Sequence, residues 1–257
     1  MTKRIPELVF LILALLPQGC GSSKPLLDTK LYSTAAGGGG YTSPDTLITV
    51  DQRGQQAAVA QAGRTPAQDA LAFDPRTGAL YGVQAHSSGS PNVVRIDPVT
   101  GDTTAVDLQD YVTGMAFSPA GQAYVVINLR TLATADLATG TLAPLSANGD
   151  LEIVYGIEFG GDGTFYAVGQ RSPNADHDEL VTLNPTTGTV TSSVALSNFY
   201  KHGDLAWHPD GHIYATNGSA FVLQIDPRSG NEIALAPGNP VLGALGGLAA
   251  WPVRVSP

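Results

Sequence analysis

The sequence is poor in cysteine and in basic residues. Cysteine occurs once, at Cys20, so the chain cannot form an internal disulfide and offers no cluster of thiolates to a metal. Lys and Arg number 13 against 22 Asp and Glu, which gives a formal net charge of −9. Such a chain lacks the basic surface that neutralises phosphates, and nucleic acid is therefore not expected as a partner.

A long hydrophobic run is also missing from the N-terminus. The apolar stretch from Leu8 to Leu16 has nine residues, about half of what a transmembrane helix needs. It follows Lys3 and Arg4, and this order of charged and apolar residues is typical of a secretory signal. Residues 1–19 are therefore predicted to be a signal peptide.

Cys20 stands directly after this segment, behind Pro17, Gln18 and Gly19. These residues resemble the lipobox of bacterial lipoproteins, in which the cysteine carries a diacylglyceryl group and becomes the new N-terminus. The resemblance implies a lipid anchor at Cys20, a short tether over residues 20–28, and export to the cell envelope. Gly21 resembles the residue of lipoproteins that reach the outer membrane, where a host has one. The alternative is an ordinary secretory signal followed by an incidental cysteine.

Glycine and proline are abundant, with 30 and 18 residues, and turn-rich segments recur at regular intervals. One five-residue motif occurs as DALAF, TGMAF, YGIEF, GDLAW and GGLAA, with starts 44, 42, 48 and 43 residues apart. Each of the first four copies is followed by a turn, a tyrosine and two further short β-type runs. Four strands within a period of about 40 to 50 residues are typical of a β-propeller blade.

The third strand of each unit ends in a similar turn, as in VVRIDPVTG from Val93. Asp97 there can accept hydrogen bonds from turn amides, Pro98 has the backbone angle of the first turn position, and Gly101 can take a left-handed conformation. The equivalent positions hold Asp51, Asp136, Asn184 and Asp226. We interpret these residues as turn caps rather than metal ligands. The tyrosines that recur in register are expected to pack between blades.

The fifth unit is split between the two ends of the sequence. After GGLAA only seven residues follow, and the pattern of the missing strands lies at 30–32, 47–51 and 57–61. The sequence therefore predicts an all-β fold, a five-bladed β-propeller over residues 29–257, whose last blade is closed by strands from both termini. Closure of this kind leaves no unpaired innermost edge in the ring.

The segments SPAGQAYVV from Ser118 and HPDGHIYATN from His208 resemble the propeller repeats of the YVTN, NHL and PQQ-like groups. The resemblance covers nearly all of the predicted mature chain and implies the propeller fold. It implies no particular activity, because such repeats occur in enzymes, receptors and scaffolds. No segment matches the tryptophan motif with which quinoproteins stack their cofactor, and no cofactor is expected.

Irregular loops are predicted on one face of the propeller, whereas the turns of the other face repeat. Since variable loops on a rigid scaffold commonly carry function, we expect a ligand at the irregular face. Its aromatic and ionisable groups suit a small molecule, a glycan or an envelope protein. The candidate ligand-binding residues are Tyr41, His86, Tyr111, Glu152, Arg171, Tyr200, Lys201 and His202.

Two positions of the five-residue motif depart from the other copies. Glu158 stands where these have Ala, and Asp204 stands where three have Gly. Together with Asp69 they place three carboxylates on innermost strands, a layout similar to that of five-bladed glycosidases. A lactonase-like or glycosidase-like hydrolase that uses these acids is the alternative to a binding module. The structural alternative is a set of acids held by backbone amides or water.

No metal site is predicted. His208 and His212 flank a turn on the face opposite His202, and Glu179 stands where a calcium loop beginning at Asn174 would need glycine. We interpret the segment 174–179 as a solvated acidic loop. The sequence thus indicates a monomeric, lipid-anchored, extracytoplasmic propeller that acts as a binding module. A purely structural envelope lipoprotein is a further possibility.

Overall fold

The computed structural model describes residues 29–35, 46–51, 55–59, 68–84, 92–145, 150–172, 175–200, 203–217, 222–235 and 245–251. The predicted signal segment, Cys20 and the tether lie outside these residues. In the described part of the chain, no helix has the length and apolar character needed to cross a bilayer.

All of the described secondary structure is β, in five four-stranded antiparallel sheets that form the blades of a propeller. Within each blade the strands follow one another from the innermost, strand a, to the outermost, strand d. Blade 1 holds β4(Ala70–Phe73), β5(Leu80–Val83), β6(Val93–Ile96) and β7(Thr103–Val106); blade 2 holds β8(Val112–Phe117), β9(Ala123–Ile127), β10(Thr131–Asp136) and β11(Thr141–Pro144); blade 3 holds β12(Ile153–Phe159), β13(Phe165–Gln170), β14(Glu179–Leu183) and β15(Val190–Ala195); blade 4 holds β16(Leu205–Trp207), β17(Ile213–Ala215), β18(Val222–Ile225) and β19(Glu232–Leu235).

Blade 5 is shared by the two ends of the chain, as predicted. Its innermost strand is β20(Leu245–Trp251), and the other three are β1(Lys30–Ala35), β2(Thr46–Val50) and β3(Gln56–Ala58). Strand β20 pairs antiparallel with β1, with Ala250 opposite Leu31. Strand β3 ends at Ala58, the Val59 amide still donates to the Leu47 carbonyl at 3.0 Å, and residues 60–61 of the predicted 57–61 segment lie outside the described part.

The core consists of five apolar clusters, one between each pair of neighbouring blades. Between blades 4 and 5, for example, Ala206 and Tyr214 pack with Leu31 and Ile48. Between blades 5 and 1, Leu47 packs with Leu71. Apolar burial therefore runs around the whole ring, and the two ends of the chain contribute to two of the five interfaces.

The recurring tyrosines pack between blades, which confirms their predicted role. In four cases the ring contacts an aromatic ring at the end of the next blade's strand a, with centroids 4.9 to 6.1 Å apart. The pairs are Tyr32 with Phe73, Tyr81 with Phe117, Tyr124 with Phe159, and Tyr166 with Trp207. Tyr214 faces a blade that has Ala250 at this position, and its hydroxyl instead donates to Asp210 at 2.7 Å.

The predicted turn caps are also present between strands c and d. The Oδ1 atom of Asp97 accepts from the amides of Val99 at 2.7 Å and Thr100 at 3.1 Å, and Gly101 has φ 77°. These amide bonds hold the pKa of the Asp97 carboxyl below its ordinary value. Caps of the same kind are formed by Asp51, Asp136, Asn184 and Asp226.

Candidate functional site

The innermost strands approach each other closely around the axis. A Cβ atom added to Gly156 would lie 3.1 Å from the Cα of Asp204, and one added to Gly247 would lie 2.5 Å from the carbonyl carbon of Ala70. A side chain larger than hydrogen is therefore excluded at Gly247, and at Gly156 it would require the neighbouring backbone to shift by a few tenths of an ångström. The glycines of the five-residue motif allow the backbones of neighbouring blades to meet, which narrows the channel at this level.

The channel widens where strands a end and turn into strands b. A cavity of about 430 Å³ lies there, which we call the axial cavity. Every blade contributes to it from the last residues of its strand a or from the following turn. Its aromatic lining consists of Phe73, Phe117, Phe159, Trp207 and Trp251. Its acidic lining consists of Glu158 and Asp162, and no basic residue is among the described residues that line it.

The aromatic walls are held by packing with neighbouring rings. Phe73 lies 4.9 Å from Trp251, centroid to centroid, and Phe159 stacks on Phe165 at 4.3 Å. Trp207 stacks on Tyr166 at 6.1 Å. Rings fixed in this way lose little side-chain entropy when a ligand binds, so the cavity is preorganised.

Glu158 lies at the inner end of the axial cavity. It shares this level with Ala72 and Ala249, which hold the same motif position in other blades. Its Oε1 atom accepts the amide of Phe159 at 2.7 Å. Burial raises the pKa of Glu158 to about 8, and the nearby charge of Asp204 acts in the same direction, against the peptide donors of Phe159 and Trp207. The carboxyl group is therefore mostly protonated at neutral pH when the cavity holds no charge.

Asp204 lies deeper in the channel and is fully buried. Its Oδ2 atom accepts the amides of Leu71 at 2.8 Å and Leu248 at 2.9 Å, which belong to the innermost strands of blades 1 and 5. The other oxygen, Oδ1, is buried and has no hydrogen-bond partner among the described residues. Burial raises the pKa of Asp204 to about 8, although the amide donors act in the opposite direction. Asp204 thus joins three blades across the axis.

The three candidate catalytic acids do not share one cavity. Glu158 lines the axial cavity, whereas Asp69 and Asp204 are not among its lining residues. Asp69 precedes strand β4 and donates its own amide to Val83 at 2.7 Å. Its charge contributes to the raised pKa of Asp204. A catalytic role for the trio stays a prediction, but the geometry gives Asp204 a structural role.

Four candidate ligand-binding residues of the irregular face are described, and they are away from the axial cavity. Glu152 pairs with Arg130 at 2.9 Å, and Arg171 pairs with Glu179 at 3.0 Å. Tyr111 is 37% exposed, whereas Tyr200 is fully buried. The other four, Tyr41, His86, Lys201 and His202, lie outside the described residues. Binding at this face therefore stays a prediction.

The segment predicted to be a solvated acidic loop is solvated only in part: the Asp176 side chain is 92% exposed, whereas the burial of Asp178 corrects the sequence interpretation. Asp178 is fully buried. It accepts from Gln170 Nε2 at 2.7 Å and from the amide of Tyr200 at 2.5 Å. The Tyr200 hydroxyl donates in turn to Glu232. A buried carboxylate that receives two donors can organise the chain around it, and this could not be read from a run of acidic letters.

Sequence reasoning missed most residues of the axial cavity. It selected Glu158 only as a catalytic candidate and sought the ligand at the irregular face, which stays a prediction, because the turns between strands a and b looked regular. The overlooked signal is the aromatic residue at the end of strand a in four of the five motif copies. Each such ring packs on a neighbouring blade and also borders the axis.

A second cavity, of about 470 Å³, lies between blades 1 and 2. Its acidic lining residues already serve turns: Asp74 accepts from the amide of Arg76 at 2.9 Å and from the Thr77 hydroxyl at 2.6 Å, and Asp136 caps its own turn. We therefore consider the axial cavity the better site. Within the described residues, no group of three His, Cys, Asp or Glu side chains could hold a metal ion.

No protein-family model matches the chain, and no curated protein matches its sequence. Among solved structures, it is similar to TolB from Acinetobacter baumannii, with a TM-score of 0.56 and 12% identity over 87% of this chain and 67% of that one. It also matches an auxiliary nutrient-binding protein from Bacteroides ovatus, with a TM-score of 0.46 and 16% identity over 80% of this chain and 57% of that one. At 12% identity the likeness to TolB shows the fold alone. The structure establishes a five-bladed β-propeller.

Proposed function

We propose that this protein is a binding module that holds a small ligand in its axial cavity. The observation that carries the proposal is the convergence of five aromatic residues and two carboxyl groups, those of Glu158 and Asp162, on a preorganised cavity of about 430 Å³. Ligand sites of this volume are commonly lined by apolar and aromatic groups with a few polar ones that set orientation. The rings have an ordinary structural role, which is to pack between blades. This role does not explain why the carboxyl group of Glu158 lies among them.

The proposal includes the cell envelope as the place of action, which rests on the signal-like N-terminus and Cys20. Thr29 is among the residues that line the axial cavity. It lies nine positions after Cys20 in the sequence, and a segment of this length spans at most about 30 Å when fully extended. A lipid on Cys20 would therefore keep the mouth of the cavity near the membrane surface.

A hydrolase is the second candidate, favoured by the two acids of the cavity. Burial raises the pKa of Glu158 to about 8, whereas the amide of Thr164 keeps the pKa of Asp162 below its ordinary value. One protonated and one ionised carboxyl group are what acid–base hydrolysis requires. Turnover of a glycoside or lactone that is lost in Glu158→Gln would favour this candidate over a binding module.

The test of the binding proposal is a ligand screen on the mature protein, with envelope glycans and metabolites and with thermal stability as the first readout. A ligand at a hundred times its Kd adds about 2.7 kcal/mol to stability.

Hits are then followed by tryptophan emission, because both tryptophans of the chain, Trp207 and Trp251, line the axial cavity. Hits that stabilise the protein without any change in tryptophan emission would contradict the proposed site, and a screen without hits would favour a structural role.

A further inference from the structure

The charge of the axial cavity is one-sided. Glu158 lies at its inner end and Asp162 on a turn at its edge, and the described lining contains no Lys, Arg or His. The chain as a whole carries a formal charge of −9. The electrostatic potential of the cavity and that of the whole chain therefore both attract cations and repel anions.

Among the residues that the structure describes, none supplies a countercharge to Glu158. The groups that face it are the amides of Phe159 and Trp207, the carboxyl of Asp204 on the neighbouring strand, and apolar surface. A carboxyl group in such a place costs free energy unless a partner is bound. The same motif position is alanine in the other four blades, so the fold itself does not need an acid there.

The walls around this carboxyl group are aromatic. Phe159 of blade 3 and Trp207 of blade 4 line the cavity with their rings, and their backbone amides are the donors to Glu158. Phe73 of blade 1 and Trp251 of blade 5 complete the aromatic lining near it. Aromatic rings attract cations through their electron-rich faces, and tryptophan does so most strongly. Cages of aromatic rings are a known arrangement for binding quaternary ammonium groups.

We infer that the axial cavity binds a small organic cation, an ammonium group with an apolar body, whose charge lies against Glu158 and whose body contacts the aromatic walls. The inference rests on the proposed function and names the class of its ligand. Anionic ligands such as phosphates or carboxylates are excluded by the same acids.

The protonation state of Glu158 makes this inference testable by pH. Because burial raises its pKa to about 8, a bound cation has to displace the proton, and affinity should rise with pH up to that value. The pKa of Asp204 is also raised to about 8, so a pH dependence of binding could come from either acid. A variant that lacks only the Glu158 charge separates the two contributions. Asp162 is already ionised there, since its pKa lies below the ordinary value.

The experiment is a tryptophan-emission titration of the full mature chain with two probes of the same shape, choline and 3,3-dimethyl-1-butanol. Choline keeps its positive charge at every pH, and the alcohol has carbon in place of nitrogen. The variants are Glu158→Gln, which removes the charge at nearly constant volume, and Asp107→Asn, a matched control at an exposed position away from the cavity.

We expect choline to bind at least about tenfold more tightly than the alcohol, and more tightly at pH 8.5 than at pH 6.5. Glu158→Gln should weaken choline binding about ten- to hundredfold and reduce its pH dependence to the part that Asp204 contributes. Asp107→Asn should bind choline like the wild type. Equal affinity for the two probes would overturn the inference while leaving a cavity that binds neutral ligands. Absence of saturable choline binding, or unchanged choline binding in Glu158→Gln, would also overturn it, and the ligand screen decides the proposed function separately.

Discussion

At the residue scale, we expect the Glu158 side chain to lower the stability of the fold and to raise its affinity for a ligand. It replaces the alanine of the other four motif copies and is only partly compensated by amide donors. Glu158→Ala restores the repeat and removes a desolvated carboxyl group, so we expect a gain of about 0.5 to 2 kcal/mol in the free energy of unfolding. Denaturant unfolding at pH 8.5 measures this change.

The same variant should lose affinity for the ligand of the cavity. A gain in stability with unchanged binding would mean that Glu158 is merely tolerated. A clear loss of stability would contradict the account of this residue, because it would show that the bonds from Phe159 and Trp207 outweigh desolvation.

Asp204 should make stability depend on pH. Its folded-state pKa is about 8, against an ordinary value of 3.8, so the folded protein holds a proton that the unfolded chain releases between these values. Stability from this group is therefore fully present below about pH 4 and falls as the pH rises towards 8. The slope is at most about 1.4 kcal/mol per pH unit.

Asp204→Asn removes this titration while keeping one oxygen for the amides of Leu71 and Leu248. We expect the stability of the variant relative to the wild type to increase from pH 5 to pH 8, as measured by urea unfolding. Parallel pH profiles for the two proteins would show that Asp204 is ionised in the folded state across this range.

Whether a residue could be predicted from the sequence depended on how local its role is. The caps at Asp97 and Asp136 follow from turns of a few residues, and they were predicted correctly. The burial of Asp178 and the bonds of Asp204 to Leu71 and Leu248 join residues far apart in the chain. Such contacts form only when blades pack together, and a local sequence pattern cannot predict them.

At the element scale, closure of the ring by strands from both termini can be tested in the shared blade 5. Strand β20 is the innermost strand of blade 5, and its Leu248 donates to Asp204 in blade 4. Deletion of residues 243–257 should therefore destabilise the whole ring, because it exposes the edge of β1 and opens two apolar clusters. Thermal unfolding should lose its single cooperative transition or shift strongly downwards.

The matched control is deletion of residues 252–257 alone, which keeps β20 complete. This variant should unfold like the full chain. Equal stability of the two deletions would contradict closure of the ring by both termini.

The same scale explains why the fold could be predicted and the site could not. Five motif copies with a tyrosine in register determine strand order and blade number, since each signal recurs along the chain. The axial cavity forms only where the ends of five strands from five blades converge. Each strand contributes one to three residues that look like ordinary core, so the axial cavity could not be recognised from the sequence.

At the scale of the whole molecule, the lipid anchor is the prediction that decides the place of action. Replacement of Cys20 by Ser should release the protein from the membrane fraction, because Cys20 is the only residue of its kind in the chain. Membrane fractionation after a high-salt wash measures this, with the wild type as reference. A variant that still sediments with membranes would rule out lipid attachment at Cys20 as the anchor.

The central claim is that the ligand of this propeller occupies the axial cavity, and a crystal structure of the protein with the best ligand of the screen tests it most directly. The account predicts ligand density between Trp207, Trp251 and Phe73, with its polar or charged group against Glu158. Ligand density at the irregular face, or between blades 1 and 2, with an empty axial cavity would contradict it.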